Sequence, residues 1–143
     1  MPDRVMTVGD LMTREVVTLY EEENLAGLLD GMERFRFRHL PVVDGETLVG
    51  LVTHRDLLRA GVSPLEPHAD QRAARLAEQT FVRDVMQTDV ETTAAHVPLV
   101  EAAKRMRDSK RGCLPVVGDD GELVGILTSS DLLTLAIRFL GGQ

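Results

Sequence analysis

Tryptophan is absent from this 143-residue chain, and aromatic residues make up only 3% of it. Any core it builds is therefore aliphatic. Cys113 is the single cysteine, which excludes an intramolecular disulfide and a cysteine-built zinc site and fits a reducing compartment. The histidines His39, His54, His68 and His96 lack metal-ligand spacing such as His-x-x-x-His, so no metal is expected. No stretch approaches the ~18 apolar residues needed to cross a bilayer, and Met1 to Asp10 lacks the apolar run of a signal peptide. The expected location is the cytoplasm, with no membrane partner. Acidic residues outnumber basic ones, for a net charge of −7. That argues against bulk nucleic-acid binding, whose affinity comes from neutralised phosphates, and leaves room for a small phosphate-bearing ligand held by local donors. No nucleophile, base and orienting group assemble from sequence signals, nor does a paired-carboxylate site, so no enzyme is expected.

What the chain does have is 43% hydrophobic residues, enough for a packed core, and a duplication. Asp10-Leu11-Met12-Thr13 returns 74 residues later as Asp84-Val85-Met86-Gln87, and Leu40-Pro41-Val42-Val43 returns at the same offset as Leu114-Pro115-Val116-Val117. One residue then enters the second copy at a Gly-Asp turn, where a hairpin tolerates an insertion. Beyond it Leu48-Val49-Gly50 falls on Leu123-Val124-Gly125, and Asp56-Leu57-Leu58 on Asp131-Leu132-Leu133.

Each copy reads as β-α-β-β-α, an α/β (α+β) class. Short extended pieces, Glu15 to Leu19 and Asp89 to Thr93, come first. Apolar residues at helical spacing follow: Leu25, Leu28, Leu29 and Met32, then Leu99, Ala102, Ala103 and Met106. Pro98 suits the first turn of the second of these helices. Hairpins are predicted with arms His39 to Val43 and Thr47 to Val52, and Cys113 to Val117 and Leu123 to Leu127, each tipped by Asp-Gly. A closing helix starts near Thr53 or Thr128. The expected organisation is a first repeat over 5–60, a linker with a helix over 61–80, and a second repeat over 81–140. Neither half should be stable alone, because about 60 residues with few aromatics bury little apolar area against the entropy of ordering. The halves are expected to pack sheet to sheet with pseudo-twofold symmetry, leaving two equivalent clefts between them.

The repeated endings carry the chemistry: Gly50-Leu51-Val52-Thr53-His54-Arg55-Asp56 and Gly125-Ile126-Leu127-Thr128-Ser129-Ser130-Asp131. A Thr-x-x-Asp is first of all a capping box. After an apolar strand, it also gathers a hydroxyl, helix-start amides and a carboxylate at one point. Hydroxyl and amides suit a phosphate, and a carboxylate suits a ribose diol.

This set resembles the cystathionine-β-synthase (CBS) domain family, over about residues 5 to 140 apart from the linker. The resemblance lies in the β-α-β-β-α order, the Asp-x-Met starts, the Leu-Pro-Val-Val strands and the two Gly-apolar-apolar-Thr-x-x-Asp endings. It implies a tandem pair, a Bateman module, that binds adenosine derivatives in clefts between repeats and regulates a partner. It implies ribose contacts from Asp56 and Asp131 and phosphate contacts from Thr53 and Thr128. It places the base against the opening strands, Val16 to Thr18 and Val90 to Thr93, including Val16, Thr18, Val90 and Thr92, and near His39 and Cys113. Which opening strand serves which cleft stays open.

The two copies differ in charge. Arg34 to His39 is locally basic, either a solvated helix end or, with Arg38, His39 and Arg55, a source of phosphate charge. The second copy has Gly112, Cys113 and Ser130 in place of Arg38, His39 and Arg55, so the first motif is the expected polyphosphate site. Cys113 and the six methionines read as core filler. The last helix is expected to pack Leu132, Leu133, Ala136, Ile137 and Leu140 on its own sheet. Leu135 and Phe139 would then form a second apolar side, covering either the linker helix or a partner. The expectation is a homodimer with the helices after Asp56 and Asp131 at its centre. The function expected is a non-catalytic sensor of AMP, ADP, ATP or S-adenosylmethionine acting on an unknown effector protein. The alternative is a ligand-free structural or dimerisation module.

Overall fold

The computed structural model describes residues 5–28, 39–60 and 71–142. The expectations at Leu29, Met32, Arg34 to Arg38 and His68, and for the linker over 61–70, lie outside the described residues. The elements in order are α1 (Val8–Leu11), α2 (helical over 25–28), β1 (His39–Asp44), β2 (Thr47–Thr53), α3 (His54–Arg59), α4 (Gln71–Gln79), α5 (Val82–Val85), α6 (Leu99–Ser109), β3 (Cys113–Val117), β4 (Leu123–Thr128) and α7 (Ser129–Phe139).

These elements form two compact units whose boundaries cut across the two sequence copies. One is Val17–Val90; the other joins Met1–Val16 to Glu91–Gln143. Each copy thus lends its opening segment to the unit built on the other copy's hairpin.

In the Val17–Val90 unit, β1 and β2 pair antiparallel, and a turn through Gly45, at φ 64°, joins Asp44 to Thr47. Positive φ is cheap only without a Cβ, which is why the tip carries glycine. A bulge at Val49 shifts the register between Val42 and Val43. On the β1 side Leu19 adds a parallel bridge: its N–H donates to Pro41 O at 2.9 Å, and Val43 N–H to Leu19 O at 2.9 Å. On the β2 side Gln87 exchanges both backbone hydrogen bonds with Leu51, at 2.9 and 3.0 Å. The core is Leu19, Leu25, Leu28, Leu40, Val42, Val52, Leu57, Ala77 and Val82. Each large side chain among them gains about 1.5–3 kcal/mol from burial.

The second unit repeats this construction. β3 and β4 pair with a bulge at Val124, and their turn places Gly121 at φ 83°. Thr93 bridges Val116 on one side, and Thr13 exchanges backbone bonds of 2.9 Å with Ile126 on the other. Val8, Met12, Leu99, Ala102, Met106, Leu114, Val116 and Leu127 form its core. Pro98 sits at the N-cap of α6, just outside its first turn. Thr93 takes the place of Leu19 in the duplicated register. It is buried, and its hydroxyl finds no hydrogen-bond partner among the described residues.

The closing helix corrects the sequence expectation. Leu132 and Leu135 are the residues of α7 packed against the core. Leu133, Ile137, Phe139 and Leu140 are exposed, by 63%, 45%, 71% and 85%, and Ala136 is exposed as well. Leu135 is three residues from Leu132 and shares its side of the helix. Leu133, Ala136, Ile137 and Leu140 face outward instead of covering the sheet.

Candidate functional site

The Gly-apolar-apolar-Thr-x-x-Asp motif spans the end of one strand and the start of the next helix, and its glycine is a clearance residue. A Cβ on Gly50 would meet Met86 Sδ at 2.6 Å and Gln87 O at 3.0 Å; on Gly125 it would meet Met12 Sδ at 2.7 Å and Thr13 O at 2.9 Å. The Asp-x-Met segment therefore lies directly across the motif glycine, and the residue after the Met is delivered to the motif. Asp10 and Asp84 hold the single-turn helices α1 and α5 that lead in: Asp10 Oδ2 accepts the Thr7 N–H at 2.8 Å, and Asp84 Oδ2 the Phe81 N–H at 3.0 Å.

In the Val17–Val90 unit, His39 stands opposite Thr53 in the ladder, and Thr53 caps α3. Asp56 is only 6% exposed. Its Oδ2 accepts the Thr53 N–H at 2.7 Å and the Thr53 hydroxyl at 3.0 Å. Gln87 Nε2 lies 3.2 Å from each Asp56 oxygen. Arg55 is exposed beside them, and Thr18 and Val90, half-buried, belong to this unit.

In the other unit, Cys113 stands opposite Thr128. Asp131 Oδ2 accepts the Thr128 N–H at 2.9 Å, and the Thr128 hydroxyl accepts the Asp131 N–H at 3.1 Å, a reciprocal capping box. The Ser129 N–H goes to Gly112 O at 2.9 Å, so two of the first three amides of α7 are used internally, where the sequence pattern had offered them to a ligand. Thr13 Oγ1 lies 3.3 and 3.5 Å from the Asp131 oxygens. Ser130 is exposed. Burial pushes the Cys113 thiol up to about 12, against the opposing charge of Arg111, so Cys113 is inert packing.

The structure thus gathers His39, Thr53 and Asp56 in one unit and Cys113, Thr128 and Asp131 in the other. The opening segments, expected as strands, form only single bridges at Leu19 and Thr93, and each is divided: Val16 lies in the Asp131 unit and Thr18 in the Asp56 unit, and Val90 and Thr92 divide the opposite way. Thr92 is tied into an ion-pair cluster, its carbonyl accepting from Arg105 Nη2 at 2.9 Å. Arg105 also pairs with Glu91 Oε1 at 2.9 Å, and Arg111 Nε lies 2.8 Å from Glu91 Oε2, without hydrogen-bond alignment. Burial raises the Glu91 carboxyl, but the Arg105 hydrogen bond and the two arginine charges outweigh it and hold it below the ordinary carboxylate value. Sequence reasoning missed Thr13 and Gln87. The sign that could have found them is their place directly after the repeated Asp-x-Met.

The CBS domain family model matches residues 8–63 and 82–138. The chain belongs to the CBS domain family. A CBS domain-containing protein of Dictyostelium discoideum is 35% identical over 93% of this chain and 92% of its own length. Among solved structures, a proposed acetoin utilization protein (AcuB) from Vibrio cholerae is 40% identical, with TM-score 0.80 over 96% of this chain and 95% of that one. CBSX2, solved in complex with AMP, is 28% identical, with TM-score 0.78 over 94% of this chain and 98% of that one. The two CBS repeats coincide with the duplication, and the fold is α+β. Among the described residues no group of three or more His, Cys, Asp or Glu gathers to hold a metal ion, and no helix is long and apolar enough to cross a membrane.

Proposed function

We propose that this CBS pair is a non-catalytic regulatory module that senses adenosine nucleotides and works in the cytoplasm on an effector protein or through its own dimer. The observation that carries the reading is the twofold occurrence of a Thr and an Asp carboxylate at one strand–helix junction, in a chain related to a protein solved with AMP. Each carboxylate suits a ribose diol and each threonine a phosphate, while Val16, Thr18, Val90, Thr92, His39 and Cys113 border the base. AMP, ADP, ATP and S-adenosylmethionine share the adenosine that these groups address. Arg55 and His39 favour the longer phosphate chains at the Asp56 motif.

A ligand that binds only the folded chain stabilises it by mass action, by about 2.7 kcal/mol at 100 times its Kd. That is a rise of several degrees in Tm for a chain of this size. Thermal melts with AMP, ADP, ATP and S-adenosylmethionine at millimolar concentration should show this rise for at least one of them. A Tm unmoved by all four refutes the reading.

The exposed apolar run on α7 favours a second reading, a dimerisation module that needs no ligand. Leu133, Ile137 and Leu140 would meet a second copy, and Leu58, 51% exposed on α3, offers further apolar surface. Both readings include a homodimer; the nucleotide-dependent melt separates them.

A further inference from the structure

Positions 13 and 87 are one place in the duplicated register, filled by different side chains. Both are pinned by paired backbone bonds, Thr13 to Ile126 and Gln87 to Leu51, and both cross a glycine with no room for a Cβ. The side chain at this place has little choice but to face the motif carboxylate.

At Asp131 the approach is loose. Thr13 is exposed, and its hydroxyl stands 3.3 and 3.5 Å from the two oxygens, beyond the usual 2.5–3.0 Å for an O–H donor. Among the described residues the carboxylate's one short contact is the Thr128 N–H at 2.9 Å. At Asp56 the acceptor capacity is largely spent. The buried carboxylate takes the Thr53 N–H, the Thr53 hydroxyl and the Gln87 amide, the last within 3.2 Å of both oxygens. A carboxylate has about four acceptor positions in all.

We infer that Gln87 sets the specificity between the two motifs: its side-chain amide stands where a ligand diol would donate to Asp56, so a nucleoside monophosphate fills the Asp131 unit first. The inference rests on the nucleotide-sensing reading. A vicinal diol donates two hydrogens to two carboxylate oxygens. At Asp131 it replaces only long contacts. At Asp56 it must displace an amide bonded to a buried charge, and bonds to charged groups are the costly ones to lose. Phosphate recognition by Arg55 is untouched by this competition, so the two units differ in which part of a nucleotide anchors it.

The test is calorimetric titration of AMP into the full chain and its Gln87→Thr and Thr13→Gln variants, with a melting curve on each to verify folding. The natural chain should bind in two steps at least about tenfold apart, the ratio that one retained hydrogen bond supports, or in a single step of one AMP per chain. Gln87→Thr should bring the weak or missing step up to the strong one. Thr13→Gln should weaken the strong step by a similar factor. Equal steps in the natural chain, or titrations that neither substitution changes while AMP still binds, overturn the role of Gln87 and leave nucleotide sensing intact. If AMP, ADP, ATP and S-adenosylmethionine all fail to bind the natural chain and both variants, both readings fall.

Discussion

The hairpin units around Asp56 and Asp131 use the same ladder, the same bulge before the motif glycine and the same crossing segment, yet they differ wherever only a side chain is at stake. Backbone passes backbone at Gly50 and Gly125 with nearly equal clearances. By contrast, Leu19 fills the core of one unit where Thr93 strands a hydroxyl in the other. Gln87 occupies one carboxylate where Thr13 barely reaches its counterpart. Glu91, Arg105 and Arg111 form an ion-pair cluster where the first copy's sequence has Val17, Gly31 and Phe37. The positions that agree are those where close packing of main chain leaves no alternative, and the others are where the two units acquire separate chemistry.

The sharpest way to break the comparison is to exchange the core positions. Leu19→Thr should cost about 2–4 kcal/mol, since it removes buried bulk and adds an unpaired hydroxyl. Thr93→Val should instead stabilise by about 1 kcal/mol, by removing a buried hydroxyl without a partner at nearly constant shape. Chemical denaturation of both variants checks the opposite signs; a destabilised Thr93→Val would mean that its hydroxyl is satisfied in solution.

Next in size is the shared feature. Gly50→Ala and Gly125→Ala should each cost about 1–3 kcal/mol, because the added Cβ overpacks against a methionine sulfur and a carbonyl. The costs should match. The amides of Gln87 and Thr13, respectively, should exchange faster with solvent, and hydrogen exchange reads this directly. A cost in one unit only would show that the crossings are not equivalent.

The smallest effect concerns the ion pairs confined to the second copy. Glu91→Gln should cost up to about 1 kcal/mol near neutral pH, as partly exposed pairs do. The lowered Glu91 pKa means that its contribution is present above the ordinary carboxylate range and is lost as pH falls through the lowered value. Unfolding of the natural chain and the variant at pH 7 and pH 3 should therefore show a gap that closes on acidification. A gap that persists at pH 3 would assign Glu91 a packing role.

Much of this was legible in the residues themselves. The offset of 74 exposes the repeat, and alternation with Asp-Gly tips locates both hairpins to within a residue. Thr53 and Thr128 announce the caps of α3 and α7. What stayed hidden is non-local. Periodicity reports which face of an element is apolar but not which partner covers it, so the outward run of α7 was read as the covered one. Nor does a local pattern reveal that Thr13 meets Asp131, 118 positions away. The helices α1 and α5 are four residues each, too short to leave a periodic signature.

The exchange of opening segments also dictates an order in time. During synthesis, at about 5–20 residues per second, the unit Val17–Val90 has all its parts as soon as residue 90 has emerged. Val8 and Met12 emerge earlier still, but the core they fill is not made until β3 and β4 follow. For several seconds this earlier segment waits unplaced, with its apolar residues unclaimed. A neighbouring nascent chain at the same stage can accept that segment in place of its own, so crowded ribosomes translating this message should yield chains interlocked by traded opening segments.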